Sequence, residues 1–78
     1  DGAKAEAMEV IVPGDAKITG KSLAHIDMPP HSLIGMVVRG GATLIPDGNL
    51  ILQEGDRAVI FTLPDTAQEV SALFHRQA

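Results

Sequence analysis

The sequence predicts a small α+β domain, a mostly antiparallel β-sheet with two helices in the order β-α-β-β-β-β-α. Three observations carry this prediction: short apolar runs bounded by glycine and proline turns, a Gly-Gly pair between two such runs, and one helical pattern near the end. With 78 residues and no cysteine, the chain holds one small domain that an apolar core must stabilise. Aromatic side chains are limited to Phe61 and Phe74, so valine, isoleucine and leucine must supply most of that core.

The predicted strands are the apolar runs between turn signals. Pro13-Gly14 ends the first run, Gly40-Gly41 separates the second from the third, and Pro46-Asp47-Gly48-Asn49 and Glu54-Gly55-Asp56 separate the later ones. The second run is apolar almost throughout, which is typical of a strand covered on both faces. These signals place strands at residues 6–12, 33–38, 42–45, 50–52 and 57–63.

Two segments show helical signals. Residues 21–26 predict a short helix that ends before the pair Pro29-Pro30. A second helix is predicted after Thr66, because Thr66 and Glu69 have the spacing of a capping box. Its apolar face would consist of Ala67, Val70, Leu73 and Phe74.

Charge and hydropathy exclude several classes of protein. The net charge is −4 and the six basic side chains are scattered, so the sequence predicts no nucleic-acid binding. No apolar run approaches the roughly 20 residues that span a bilayer, and no signal-peptide pattern is present. The sequence begins with Asp1, and we expect an excised domain in which residues 1–5 are a linker remnant and residues 6–78 the folded unit.

Candidate chemistry is weak throughout the chain, and we predict that it is not an enzyme. Gly20-Lys21-Ser22 resembles part of a phosphate-binding P-loop, but five residues separate Gly14 from Gly20 where the motif requires four. The histidines His25, His31 and His75 lack the spacing of a metal site, and no metal is predicted. Ser22 or Ser32 could be combined with a histidine and an aspartate, yet no nucleophile motif surrounds either serine.

Two further features admit a structural and a functional interpretation. Arg39 could anchor a phosphate-bearing ligand or pair with a nearby acid, whereas Asp56 at a turn is expected to accept hydrogen bonds from turn amides. Pro29 and Pro30 stiffen the backbone ahead of the most apolar strand. That segment is either a dimer seam or an ordinary connection into a core strand, and the residues alone do not decide between them.

A family resemblance emerges from the order of these motifs. Gly20-Lys21-Ser22-Leu23, Asp27-x-Pro29-Pro30 and the run from Leu33 to Gly41 come first, and Leu44 to Gly48 and Leu52 to Phe61 follow. In this order they are similar to the TrkA C-terminal domain, the C-terminal lobe of RCK units that regulate potassium channels and transporters. The resemblance covers nearly all of the chain after residue 5.

The resemblance implies a cytoplasmic α+β lobe that forms a homodimer and regulates a membrane cation transporter or channel subunit. In the parent chain it implies a Rossmann-type N-terminal lobe, whose glycine fingerprint is absent from these residues. No cofactor is expected in this domain itself. The alternative function is a purely structural oligomerisation module that binds no ligand.

Some members of the family bind cyclic di-AMP at the seam between two lobes, and the resemblance implies that this ligand would bind here at the same place. In some members a polar residue that reads the adenine occupies the position of Leu33, which cannot form a hydrogen bond. The implied contact residues are Met28, Pro29, Pro30, His31, Leu33 and Ile34.

Overall fold

The sheet has four antiparallel strands in the spatial order β1-β4-β2-β3. The computed structural model describes residues 4–76. β1 spans Glu6–Ile11, β2 spans Ser32–Arg39, β3 spans Ala42–Leu44 and β4 spans Arg57–Thr62. β4 is central and pairs with β1 and β2, so the first and last strands of the chain are neighbours.

One α-helix, α1, spans Ala67–Leu73 and follows a 3₁₀ turn at Pro64–Thr66. The α+β class is confirmed, as is this C-terminal helix, whose Val70 is fully buried. The predicted helix at residues 21–26 is reduced to a single 3₁₀ turn at Leu23–His25. Proline follows closely, and the segment uses its backbone groups in hydrogen bonds to another loop, so a longer helix does not form.

The predicted strand at residues 50–52 is wrong. Ile51 forms only an isolated bridge with Ser22, outside the four-stranded sheet. Around this bridge, Leu52 N–H donates to the carbonyl of Lys21 at 3.1 Å and Leu23 N–H donates to the carbonyl of Leu50 at 2.9 Å. The apolar run therefore ties two loops together instead of adding a strand.

The capping box predicted at Thr66 is not formed. Thr66 precedes α1, but its hydroxyl makes no cap hydrogen bond. It donates instead to the carbonyl of Pro30 at 2.9 Å, and its oxygen lies 3.1 Å from that of Thr62. The side chain thus fastens the Pro29-Pro30 segment to the end of the sheet.

The core lies on one side of the sheet, which we call the core face. Val37, Ala58 and Ile60 project from β2 and β4 into it and are fully buried. Loop and helix residues cover them, and the buried cluster consists of Val12, Ala16, Ile18, Ile26, Val37, Leu52, Ala58, Ile60, Val70 and Phe74. The prediction that β2 is covered on both faces is wrong within the described residues, because Leu33 on the opposite face is 56% exposed.

The Gly40-Gly41 hairpin predicted from the sequence is confirmed. Arg39 of β2 pairs with Ala42 of β3, and both glycines between them have positive φ angles, 56° and 83°. A two-residue loop of this kind needs left-handed backbone at both positions, which glycine adopts without steric cost.

The predicted domain division extends beyond the part of the chain that the structure describes. Residues 1–3 of the predicted linker and residues 77 and 78 of the predicted folded unit lie outside it. Lys4 and Ala5 precede β1 and are exposed. The division at residue 5 stays a prediction.

Candidate functional site

The first half of β2 has an unpaired edge. β3 pairs only with the second half, from Val37 to Arg39, whereas β4 pairs with β2 along most of its length. Ser32, Leu33 and Ile34 therefore have a strand neighbour on one side only. A free strand edge presents backbone donors and acceptors that another chain can pair with. The predicted site residues thus lead into an edge that is open to a partner.

The segment that leads into this edge is held by hydrogen bonds. Besides the bond from Thr66 to Pro30, the hydroxyl of Ser32 donates to the carbonyl of Pro29 at 2.5 Å. Leu63 N–H donates to the carbonyl of His31 at 3.0 Å. His31 itself has a φ of 65°, which is uncommon for a residue other than glycine. The bend into β2 is therefore a fixed feature, not a loose loop.

Two cavities share Ser32 and Leu33 in their linings. The first has a volume of about 240 Å³, and the second has a volume of about 330 Å³. The first is lined by Leu23, Ile26, Met28, Ser32, Leu33, Ile34, Pro46 and Asp47. The second is lined by Ala5, His31, Ser32, Leu33, Phe61, Thr62 and Leu63.

The six predicted site residues take different positions relative to the two cavities. Met28 and Ile34 line the first cavity, His31 lines the second, and Leu33 lines both. Pro29 and Pro30 line neither; they connect the two groups, and their carbonyls accept the hydrogen bonds of Ser32 and Thr66.

Sequence reasoning missed the residues that complete the first cavity from other segments, Leu23, Ile26, Pro46 and Asp47. The turn signal at Pro46-Asp47-Gly48 was visible, but not its position beside β2. Asp47 stabilises this turn, since its carboxylate accepts hydrogen bonds from the N–H groups of Asn49 at 2.8 Å and Leu50 at 3.1 Å.

The lining of both cavities is suited to contact with an apolar group. Most of their lining is apolar, and the nearest ionisable pair is exposed: His31 Nδ1 lies 3.3 Å from an oxygen of Asp65. Across residues 4–76, no group of three histidine, aspartate or glutamate side chains could hold a metal ion. The serine-histidine contact that does exist, Ser22 Oγ to His25 Nδ1 at 2.7 Å, is exposed and lies elsewhere in the fold.

Arg39 pairs with an acid, which answers the question left open by the sequence. Its Nε and one terminal nitrogen donate to the two carboxylate oxygens of Asp56 at 2.8 and 2.7 Å. The hydrogen bond from Arg39 lowers the pKa of Asp56, and the same bond raises the pKa of Arg39. Asp56 also accepts from Gln53 N–H at 2.9 Å, as expected for a turn aspartate.

This buried carboxylate and its partners form a structural clasp. Arg39 also donates to the carbonyl of Ile51 at 2.8 Å, so one guanidinium joins the end of β2 to the loop before β4. Asp56 is only 1% exposed, so no ligand reaches it in this arrangement. Because its guanidinium donates to Asp56 and to Ile51, Arg39 has the structural role of the two that the sequence left open.

Comparison with known proteins assigns the family. The model of the TrkA-C domain matches residues 7–75, and the chain therefore belongs to the TrkA-C domain family. Its relatives include the Trk system potassium uptake protein TrkA homolog 1 of Methanosarcina mazei, 43% identical over 95% of this chain. The Trk system potassium uptake protein TrkA of Halomonas elongata is 37% identical over 76% of it.

This chain corresponds to only a small part of those relatives. The match covers 16% of the Methanosarcina protein and 14% of the Halomonas protein. A solved structure described as "Structure of RCK domain with cda" superposes with a TM-score of 0.73 at 18% identity, covering 86% of this chain and 96% of that one. The predicted RCK-lobe fold is thereby confirmed. No helix within residues 4–76 is long and apolar enough to cross a membrane.

Proposed function

We propose that this chain is a regulatory and dimerising lobe of a potassium or other cation transport system. Membership of the TrkA-C family carries this proposal, because the relatives that match along nearly the whole chain are potassium uptake proteins. The proposed setting is the cytoplasm, against a membrane transporter or channel subunit. In the parent protein a Rossmann-type lobe would precede it, and this lobe would contribute no catalytic step.

The free edge of β2 supports a homodimer at the seam. Among the unpaired residues Leu33 is 56% exposed, and Ile45, next to the cavity residue Pro46, is 81% exposed. Burial of exposed apolar side chains at a free edge by a second copy would stabilise the dimer. A two-fold axis at this edge would bring together the cavities of both copies, so that each copy supplies half of a shared site.

A small ligand at that seam would act by stabilising one arrangement of the two lobes. A ligand shifts an equilibrium only if it binds one state more tightly than the other. A cleft completed by two copies meets this condition, because the separated lobes would offer only half of the contacts. A rise in ligand concentration would thus increase the fraction of dimers in one lobe orientation, and the transporter would respond to that orientation.

Solution mass measured by light scattering over a concentration series tests the dimer. We expect a dimer for the native chain and weaker association for Ile45→Asp, since a buried carboxylate at the seam would lack a partner. Ala72→Asp, at an exposed position in α1, is the matched control and should leave the mass unchanged. A monomer at every concentration would contradict a dimerising lobe.

The ligand is tested separately, by thermal unfolding with and without cyclic di-AMP. A ligand that binds only the folded dimer must raise the melting temperature, and Ile45→Asp should abolish the rise. A dimer whose melting temperature does not respond would reject this ligand and favour the purely structural module. Potassium uptake by the full-length parent with Ile45→Asp then tests whether the seam regulates transport.

A further inference from the structure

A third cavity, of about 490 Å³, takes nearly all of its lining from residues that do not line the two cavities beside β2. The loop from Lys17 to Asp27 forms most of this lining, and Leu73 of α1 completes it. Among the described residues, Ile26 alone is shared with a cavity beside β2. We call this space the basic cavity, because two of the six lysine and arginine side chains of the protein line it.

Three basic side chains, Lys17, Lys21 and His25, line the basic cavity. Both lysines are exposed, and within residues 4–76 neither takes part in an ion pair. The chain has a net charge of −4, so two lysines at one concave place are a local excess of positive charge on an acidic protein. Such a cluster raises the local concentration of anions.

The backbone that bears the two lysines is held by hydrogen bonds. Lys21 N–H donates to the carbonyl of Ile18 at 3.1 Å, which closes a tight turn between the lysines. Gly20 in this turn has a φ of 84°, which glycine adopts without steric cost. The carbonyl of Lys21 accepts from Leu52 N–H at 3.1 Å. The lysine side chains therefore extend from a fixed loop.

This loop differs from a P-loop, in which backbone N–H groups surround a phosphate. The N–H groups of Gly20, Lys21, Leu23 and Ala24 all donate to carbonyls within the protein. Side chains would therefore hold a ligand in the basic cavity. The sequence Gly20-Lys21-Ser22 supplies a lysine for this purpose, but not the phosphate-binding backbone of a nucleotide site.

His25 adds a third donor on a ring that is held in place. Its Nδ1 lies 2.7 Å from Oγ of Ser22. When the serine hydroxyl donates to Nδ1, the proton of the neutral ring is on Nε2, which can then donate to a ligand. An anion in the cavity would favour this tautomer, because a ring nitrogen without a proton would repel it.

The remaining lining limits which anions fit the basic cavity. Ile18 and Ile26 are buried and Leu73 is partly buried, so apolar surface lies beside the charged groups. An inorganic ion would leave this surface uncovered, whereas the organic group of an ester would cover it. Asp27 also lines the cavity and opposes a negative ligand. Two lysines against this one aspartate leave a charge of +1 when His25 is neutral.

We propose that the basic cavity binds a small soluble phosphate monoester, with the phosphate between Lys17, Lys21 and His25 and the organic group against Leu73. Phosphate suits these donors, because its oxygens accept hydrogen bonds from several directions and lysine binds it as a point charge. The net charge of −4 disfavours an anionic membrane surface as the source of the phosphate. This inference goes beyond the proposed function and depends neither on the dimer nor on a ligand at the seam.

Titration of the isotope-labelled chain with phenyl phosphate, followed by NMR, tests the site. We expect saturable shifts at the amides of Lys17, Lys21, His25 and Leu73, with a dissociation constant of about 1 mM at low ionic strength. Inorganic phosphate should bind about tenfold more weakly, because it leaves the apolar lining uncovered. Equal affinity for the two probes would overturn the assignment to an ester.

Charge variants show whether the lysines hold the phosphate. Lys17→Gln and Lys21→Gln should each weaken binding about tenfold, since each removes a charged donor at an exposed position. Lys4→Gln is the matched control, because it removes the same charge at an exposed position outside the cavity and should leave the affinity unchanged. Asp27→Asn should tighten binding about threefold by removing repulsion. Lysine variants that behave like Lys4→Gln would overturn the inference.

The seam variant Ile45→Asp separates this site from the proposed dimer. It should bind phenyl phosphate as the native chain does, even if it no longer associates. Shifts that do not saturate, or that occur away from the basic cavity, would overturn the inference. Vesicles that contain phosphatidic acid should not cosediment with the chain. Cosedimentation that Lys21→Gln abolishes would identify a lipid headgroup as the phosphate source and overturn the assignment to a soluble ester.

Discussion

The two halves of β2 differ although both are apolar in sequence. The second half is paired on both sides, buries Val37 completely and ends at the clasp between Arg39 and Asp56. The first half is paired on one side, exposes Leu33 and borders two cavities. The difference shows that hydrophobicity alone does not distinguish a core strand from an open edge, whereas the number of strand neighbours does.

Core truncation should have the largest effect and should separate the buried face from the open one. Ile60 is fully buried, and Ile60→Ala should lower the free energy of unfolding by about 4 kcal/mol through lost burial and the cavity that remains. Leu33→Ala, on the face of the sheet opposite the core, should cost less than about 1 kcal/mol, because that side chain is already half exposed to water. Urea unfolding of both variants measures the difference, and equal losses would contradict the assignment of the two faces.

Breaking the clasp should be the next largest effect. Asp56→Asn keeps the shape but loses the charged hydrogen bonds from Arg39, and should lower the free energy of unfolding by about 2 to 3 kcal/mol at pH 7. Asp47→Asn is the matched control, since an exposed turn asparagine can still accept the same backbone hydrogen bonds; its cost should stay below about 0.5 kcal/mol. A similar cost for both substitutions would show that the clasp contributes nothing special.

The same clasp predicts how stability depends on pH. Because the pKa of Asp56 in the folded protein lies below its ordinary value of 3.8, the folded state favours the ionised carboxylate. This stabilisation is complete well above pH 3.8 and is lost as the pH falls through the lower folded-state pKa. In Asp56→Asn the loss of stability below about pH 4 should be shallower, as acid titration of circular dichroism would report. If stability falls with pH as steeply in Asp56→Asn as in the native chain, other carboxylates cause the loss of stability in acid.

The smallest effect is expected on the open half of β2. In Gly35→Ala the new methyl group must displace the Phe61 ring, but that ring is partly exposed and can move, so stability should fall by less than about 1 kcal/mol. The double variant Gly35→Ala/Phe61→Leu should recover part of the loss, which a double-mutant cycle measures. Additive losses of stability in that cycle would mean that the contact between the Phe61 ring and Gly35 has no measurable coupling energy.

Sequence reasoning succeeded where local chemistry decides the structure. The Gly-Gly hairpin and the C-terminal helix follow from turn geometry and periodicity, and both are confirmed. Sequence reasoning failed where a segment distant in the chain forms the hydrogen bonds that were predicted to be local. Thr66 has the spacing of a helix cap, yet its hydroxyl bonds to Pro30, and the run 50–52 has the composition of a strand, yet pairs with a loop.

The candidate site shows the same division. Residues 28–34 could be singled out because two prolines precede an apolar run, and the structure brings most of them to the two cavities. Pro46 and Asp47 could not be assigned to that site, because only the three-dimensional fold places their turn beside β2. The exposure of the face opposite the core could not be predicted for a similar reason, since one continuous apolar run does not reveal which face of a strand stays open.

The pairing of β1 with β4 has a consequence for the time course of folding. Glu6 aligns with Thr62, so the first strand finds its neighbour only near the other end of the chain. During synthesis β1 leaves the ribosome early and remains without that neighbour until nearly the whole domain has emerged. Contacts between such distant residues slow folding, because a long loop must close before they can form. We expect refolding in the range of milliseconds to seconds, with β1 joining the sheet in a late step.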